Sequence, residues 1–236
     1  MCRLFGYIGE EKNLGGYLGG NKNSLLAQSH GTFCPKTGKT KHRDGWGIYW
    51  KRENTHFYQR RGRDEFDDND FLNISLDTNA DLAVAHIRKA SKNTPVGKEH
   101  SHPIVKDGII LAHNGTITPF VEEGMNQNIS DTAVVMQRLI RDWKERDYKS
   151  LVLILFNLII EVGDKYTAMN MIISNEKDLF VFSRFKDCGP DERKYYSMKI
   201  KVRQKYTIIA SQQIDEDLAD WEDIENSTLL HITRNG

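Results

Sequence analysis

Two helical segments set almost end to end, in a chain whose other apolar runs read as strands, limit the available folds more than any other feature. SDTAVVMQRLIRDWKERD (130–147) opens on a serine N-cap and spaces Ala133, Val134, Met136, Leu139, Ile140 and Trp143 at mainly helical intervals. SLVLILFNLIIEVG (150–163) follows at once and is apolar on most faces, which predicts a helix buried between layers. Before the pair, RLFGYIG (3–9), GWGIYWK (45–51) and HFYQRRG (56–62) read as an antiparallel meander, with RENT turning the chain between the last two. LAVAHIR (82–88) and GIILAHNG (108–115) read as buried strands joined by a long polar loop. After the pair come AMNMIISN (168–175), DLFVFSRF (178–185), YYSMKIK (195–201), YTIIAS (206–211) and STLLHITRN (227–235), with NEKD (175–178) as a hairpin turn. NSLLAQSH (23–30) predicts a short helix, with Cys34 in the loop behind it. Strands, two adjacent helices, then strands again predict an α+β fold of two packed antiparallel sheets with helices outside. No repeat or linker divides the chain, so one domain over 2–236 is expected.

Composition narrows the function. With 236 residues and 39% hydrophobic content the chain can build a substantial core. Thirty-three basic residues balance thirty-three acidic ones, so no net field favours nucleic acid or an anionic membrane, and a small polar metabolite is the expected partner. Three scattered cysteines (Cys2, Cys34, Cys188) fit neither a disulfide framework nor a paired zinc motif, which suggests a reducing compartment. The start lacks the pattern of a signal peptide, and the apolar run LVLILFNLII (151–160) is too short to span a membrane. A soluble, cytoplasmic protein is expected.

Four short segments offer groups that amide chemistry needs. Removal of Met1 would make Cys2 the first residue and join a thiol to a free α-amine whose pKa suits it to accept the thiol proton near neutrality. In LAHNGTI (111–117), the Asn114 side-chain amide and the Gly115 backbone N–H are two candidate donors to an oxyanion. Asn-Gly is equally a common tight turn. AHIRKAS (85–91) puts Arg88 at the end of a buried strand, where its fork suits a carboxylate. Asp131, in the first turn of the predicted helix, can face an ammonium or simply favour the helix dipole. His86, His100, His102 and His113 crowd together, but no helical i, i+4 pair of zinc-site type is among them, so no metal or other cofactor is expected. His86 and His113 read as hydrogen-bonded supports of the motif residues near them. Trp46 reads as packing, and Asp44 has no assigned chemistry.

Taken together, MCRLFGYIG, HRDGWGIYW (42–50), AHIRKAS, SHPI (101–104), LAHNGTI and SDTAVV (130–135) stand in the order seen in the class II glutamine amidotransferases, which are N-terminal-nucleophile hydrolases. The chain resembles their stand-alone glutaminase-like branch, including the γ-glutamyl hydrolases of thiol metabolism, and IASQQIDEDLADWEDI (209–224) is similar to a late segment of that branch. The resemblance implies a four-layer αββα sandwich with Cys2 at the end of a central strand. It implies that Cys2 attacks the γ-amide carbon of glutamine or a γ-glutamyl compound, and that Asn114 and Gly115 form the oxyanion hole. Arg88 would hold the α-carboxylate, Asp131 the α-ammonium, and Ser91 would stand where the family often has a threonine near the substrate. Lys89 departs from the aromatic residue common after the arginine. A γ-glutamyl thioester would then be hydrolysed to glutamate, the ammonia passing to a separate synthase subunit if there is one. The alternative is a non-catalytic module of the same fold that binds glutamine or a γ-glutamyl group.

Overall fold

The alternation of side chains along the first strand, β1 (Arg3–Asn13), sets the layering of the molecule. Leu4 and Ile8 face one way, Phe5 and Tyr7 the other, and all four are buried, so apolar layers must cover both faces. The structure, a computed structural model, describes residues 2–34, 38–217 and 219–234. Its elements follow in the order α1 (Leu25–Ser29), β2 (Thr32–Cys34), β3 (Gly38–Thr40), β4 (Gly45–Arg52), β5 (Thr55–Gly62), α2 (Asp68–Asp77) and β6 (Asn79–Ile87). Next come β7 (Ile104–Lys106), β8 (Ile109–Ile117), α3 (Thr118–Met125), α4 (Asp131–Asp142), α5 (Tyr148–Val162), β9 (Tyr166–Ser174) and β10 (Leu179–Ser183). The last elements are α6 (Pro190–Tyr196), β11 (Lys199–Arg203), β12 (Tyr206–Ala210), β13 (Glu222–Asp223) and β14 (Thr228–Ile232).

Two antiparallel sheets form the centre, a seven-stranded one in the order β13-β11-β12-β1-β6-β4-β5 and a five-stranded one in the order β14-β10-β9-β8-β7. Leu4, Ile8, Leu82 and Val84 of the first meet Ile110, Ala112, Ile172 and Val181 of the second in a dry middle layer. Phe5, Tyr7, Trp46 and Ile48 on the other face of the first sheet pack against Leu25 of α1 and Phe71 of α2. Leu111, Met169 and Met171 on the outer face of the second pack against Phe120, Val135, Leu139 and Leu155 of α3, α4 and α5. The result is the expected α+β sandwich of four layers, αββα, with β1 in the middle of its sheet.

Several local expectations change. β1 pairs with β12 and β6 rather than entering a meander with β4, because β6, mostly apolar and buried on both faces, takes the inner place between β1 and β4. α5 lies on the outside: Leu151, Ile154, Leu155, Leu158 and Val162 face the core, while Leu153, Phe156 and Ile160 are more than half exposed. YYSMKIK divides between the end of α6 and the start of β11, because Pro190 at the helix start and Asp191 and Glu192 in its first turn favour a helix there. Cys34 ends β2 instead of lying in a loop. α2 gives little apolar periodicity to read, and Asp67 caps it by accepting from the Asn69 and Asp70 N–H groups. Among the described residues no helix is long and apolar enough to cross a membrane.

Glycines in β4 let another segment lie across the sheet. A Cβ on Gly47 would collide with the carbonyl oxygen of His102, and one on Gly45 with the Ser101 hydroxyl. Trp46 between them turns to the opposite face, fully buried edge-on against Phe71. Gly47→Ala is therefore expected to lower the free energy of unfolding by about 1–3 kcal/mol, because the obstacle is main chain that cannot swing aside. Urea denaturation of the variant measures the change.

Candidate active site

β1 and β6 run antiparallel with Arg3 opposite Ile87, so the next pair along the register is Cys2 and Arg88. Cys2 is buried, and its Sγ lies 3.3 Å from both the backbone nitrogen and the carbonyl oxygen of Lys89. The thiol donates to the carbonyl, and the N–H donates to the sulfur. Burial pushes the Cys2 thiol above its ordinary pKa, against the downward pull of the Lys89 N–H and the Arg88 charge. Asp131 adds to the upward push. A thiol so placed needs a base before it can act as a nucleophile.

Cys2, Arg88, Ser91, Gly115 and Asp131 line one cavity, together with Lys89, Thr94, His102, His113 and Thr132. It encloses about 20 Å³ of free space, room for about one water molecule. Asn114 is not in the lining; it sits in the middle layer, fully buried. Both Oδ1 and Nδ2 of its amide lack a hydrogen-bond partner among the described residues, unusual for a buried amide and a mark of function or strain. Gly115 is required by close approach, since any Cβ would collide with the Ala168 carbonyl. Its partner across the ladder, Met169, gives its own N–H to Arg184 on the far side. Residues of an antiparallel strand point N–H and C=O the same way, so Gly115 faces Met169 in a non-hydrogen-bonded pair and turns its N–H away from β9. β7 pairs with β8 only as far as Leu111, so that ladder does not take up the Gly115 N–H.

The charged residues already have partners. Arg88 is buried, and its Nη2 donates to the Pro95 carbonyl at 2.8 Å, while Nη1 has no partner among the described residues. Ser130 caps α4 by accepting from the Ala133 N–H. Asp131 beside it accepts from the Ile117 N–H at 3.0 Å and the Thr132 N–H at 2.9 Å, tying the start of α4 to the end of β8. Ser91 and Thr116 share a hydroxyl hydrogen bond of 2.6 Å that ties the chain after β6 to the same strand.

Sequence reasoning left Asp44 without a role, and the structure supplies one. Its buried carboxylate accepts from the Ala90 N–H at 2.8 Å and from Arg63 Nε at 2.9 Å, so it fixes the turn whose Lys89 backbone grips Cys2. The Ala90 N–H and Arg63 outweigh burial and hold that carboxyl below its usual range. The Lys89 main-chain contacts carried no sequence signal, because they depend on backbone position alone. His113 has the expected support role, hydrogen-bonding Thr132 and the Ala168 carbonyl. The His86 and His102 rings lie 4.5 Å apart, and both face the His113 backbone, a hydrogen-bonding interaction that works against the lowering of their pKa values although no ring nitrogen reaches full hydrogen-bond geometry among the described residues. Among the described residues no three His, Cys, Asp or Glu side chains converge as a metal site would require.

Comparison with known proteins identifies the family and the fold. Residues 18–236 match the family model described as glutamine amidotransferases class-II. No curated protein matches the sequence. Among solved structures, the glutamine phosphoribosylpyrophosphate amidotransferase of B. subtilis, complexed with ADP and GMP, overlays 99% of this chain with a TM-score of 0.62 at 19% identity. This chain spans 48% of the length of that protein. A glutamine aminotransferase class-II domain protein from Silicibacter pomeroyi overlays 99% of this chain and 96% of its own, with a TM-score of 0.60 at 13% identity. A predicted glutamine amidotransferase from Pseudomonas aeruginosa overlays 99% and 98%, with a TM-score of 0.55 at 13% identity. At these identities the overlays establish the fold.

Burial, reinforced by the Arg88 charge, holds His86 and His102 well below the ordinary histidine pKa, and burial takes His42 down to about 2. The folded protein keeps these rings neutral, whereas the unfolded chain protonates them near pH 6.5. Their contribution to stability is therefore complete above that pH and declines as pH falls below it. The melting temperature at constant ionic strength is expected to drop steadily from pH 7.5 to pH 5.

Proposed function

Because the chain belongs to the class II glutamine amidotransferases, we propose that it is an amidohydrolase whose Cys2 thiol cleaves the γ-amide of glutamine or of a γ-glutamyl compound. The observation that carries this reading is the convergence in one cavity of Cys2, Arg88, Ser91, Gly115 and Asp131, from segments far apart in sequence. Met1 lies outside the described residues; its removal would free the α-amine of Cys2 as the base that the buried thiol needs. The amine takes the thiol proton, the sulfur adds to the γ-carbonyl carbon, and the negative charge gathers on the carbonyl oxygen. Asn114 Nδ2 and the Gly115 N–H are the donors for that oxygen, each of a kind worth roughly 10²–10³ in rate. The carbon–nitrogen bond breaks as the α-ammonium returns its proton to the departing nitrogen. Water then adds to the γ-glutamyl thioester through the same oxyanion, and the thiol leaves with glutamate as product.

Arg88 would receive the substrate α-carboxylate on its unpartnered Nη1 and, by releasing the Pro95 carbonyl, on Nη2 as well. Asp131 keeps acceptor capacity beyond its two backbone bonds and is the counter-charge for the α-ammonium. With glutamine as substrate the leaving group is ammonia, which a synthase partner would use.

Cys2→Ala is expected to cut glutamate release by roughly 10⁴-fold or more while leaving the melting temperature close to that of the parent. Unchanged turnover in this variant would refute the nucleophile. Arg88→Lys should raise KM by about 10- to 100-fold, because a point charge cannot reproduce the bidentate fork, with a smaller effect on kcat. Steady-state kinetics on glutamine and on a γ-glutamyl peptide read both changes.

A further inference from the structure

A second cavity opens at the rim of the seven-stranded sheet. Arg3 lies two residues from Phe5 and so shares its face of β1. Ala210 of β12 stands across from Phe5 on one side and from Lys199 of β11 on the other, which sets Lys199 on that face as well. The same register carries Gln212 to the place beside Arg3. Around these residues, with Lys194 and Asp191 of α6 beside them, lies a space of about 570 Å³, the size of a small-molecule site. It shares no lining residue with the cavity that holds the Cys2 thiol.

The lining is rich in donors. Arg3, Lys194 and Lys199 face the cavity as cations against the single carboxylate of Asp191, in a chain whose basic and acidic residues otherwise balance. Arg3 is 2% exposed, its guanidinium lies 5.0 Å over the Tyr195 ring, and its Nη1 donates at 3.5 Å to the Cys2 carbonyl, contacts that hold the fork in place. Lys199 is ion-paired with Asp223. Lys194 is exposed and has no ion pair among the described residues, so its charge is available to a ligand. The Ser211 hydroxyl accepts from the Leu4 N–H at 2.9 Å and keeps its own proton for an acceptor. These donors come from β1, α6, β11 and the end of β12, so they approach from several directions. A carboxylate offers two oxygens in one plane, whereas a phosphate monoester offers three around a tetrahedral centre and carries close to two negative charges at neutral pH.

We propose that this cavity is a separate binding site for a small phosphate monoester. Arg3, Lys194 and Lys199 hold the phosphate, and the hydroxyl-bearing remainder lies against Gln212 and Gln213. The site stands apart from the amide chemistry proposed for Cys2 and does not depend on it. Arg3 nevertheless touches both, since the side chain that meets the phosphate also holds the main chain of Cys2.

Isothermal titration calorimetry of the full chain at low ionic strength tests it, with glycerol 3-phosphate, glycerol and malate as probes. Glycerol 3-phosphate is expected to bind with a Kd below about 1 mM, malate at least about tenfold more weakly, and glycerol without measurable heat. Lys194→Glu should weaken glycerol 3-phosphate at least about tenfold, and Lys194→Arg should bind it nearly as the parent does. Lys106→Glu, the same change of charge on β7 at the edge of the other sheet, should leave the Kd as it is. Absence of binding by glycerol 3-phosphate at about 10 mM would overturn the site. So would malate binding as tightly, which denies the phosphate, or an equal loss in Lys106→Glu, which reduces the effect to overall charge.

Discussion

The antiparallel ladder between β1 and β6 runs from Asn13 opposite Asn79 to Arg3 opposite Ile87, and it decides where Cys2 and Arg88 lie. It sets Cys2 beside Arg88 and delivers the Lys89 backbone to the sulfur. The ladder is interior to its sheet, so both strands are held on both edges, β1 also by β12 and β6 also by β4. Asp44 fastens the chain where the ladder ends, through the Ala90 N–H. A register slip of one residue would turn Cys2 from the middle layer to the helix side and exchange Leu4 and Ile8 for Phe5 and Tyr7 in the dry core. The apolar layers thus enforce the position of Cys2 as a by-product of enforcing the fold.

The second sheet contributes through an opposite economy. Ile110 and Ala112 of β8 are ordinary core residues, but the next position on the same face is Asn114, an amide with no partner among the described residues. A buried amide left unpaired costs on the order of 1–3 kcal/mol, and the surrounding apolar packing has to carry that loss. Such a group is already stripped of water, so in the proposed reaction it would meet a developing negative charge without having to rearrange solvent first. The same low-dielectric layer keeps His86 and His102 neutral and raises the Cys2 thiol.

Much of this was legible in the residue order, because period-2 runs such as LAVAHIR and GIILAHNG and the Ser130 cap are local signals with local causes. What escaped was set by competition between distant segments. β1 looked like the start of a meander because nothing in RLFGYIG tells that the almost fully buried β6 will take the place beside it. α5 looked like an interior helix because its outer residues are apolar, yet the sheet it covers has only one side to offer. At the site, the side chains of Cys2, Arg88 and Asp131 could be picked out as types suited to amide chemistry. The Lys89 main chain could not, since any residue has the same backbone, and Asp44 could not, since its partners Ala90 and Arg63 meet it only after folding.

The cavity at the thiol has a thermodynamic consequence beyond its chemistry. A space of about 20 Å³ is too small for a γ-glutamyl group, so under the proposed function entry of that ligand would require the Arg88 to Pro95 bond and the chain around it to open first. If the open arrangement has a population f, the measured Kd is the intrinsic one divided by f. An opening that is one per cent populated thus weakens apparent affinity about a hundredfold, and a substitution that merely loosens the 89–95 turn would tighten binding without touching the ligand.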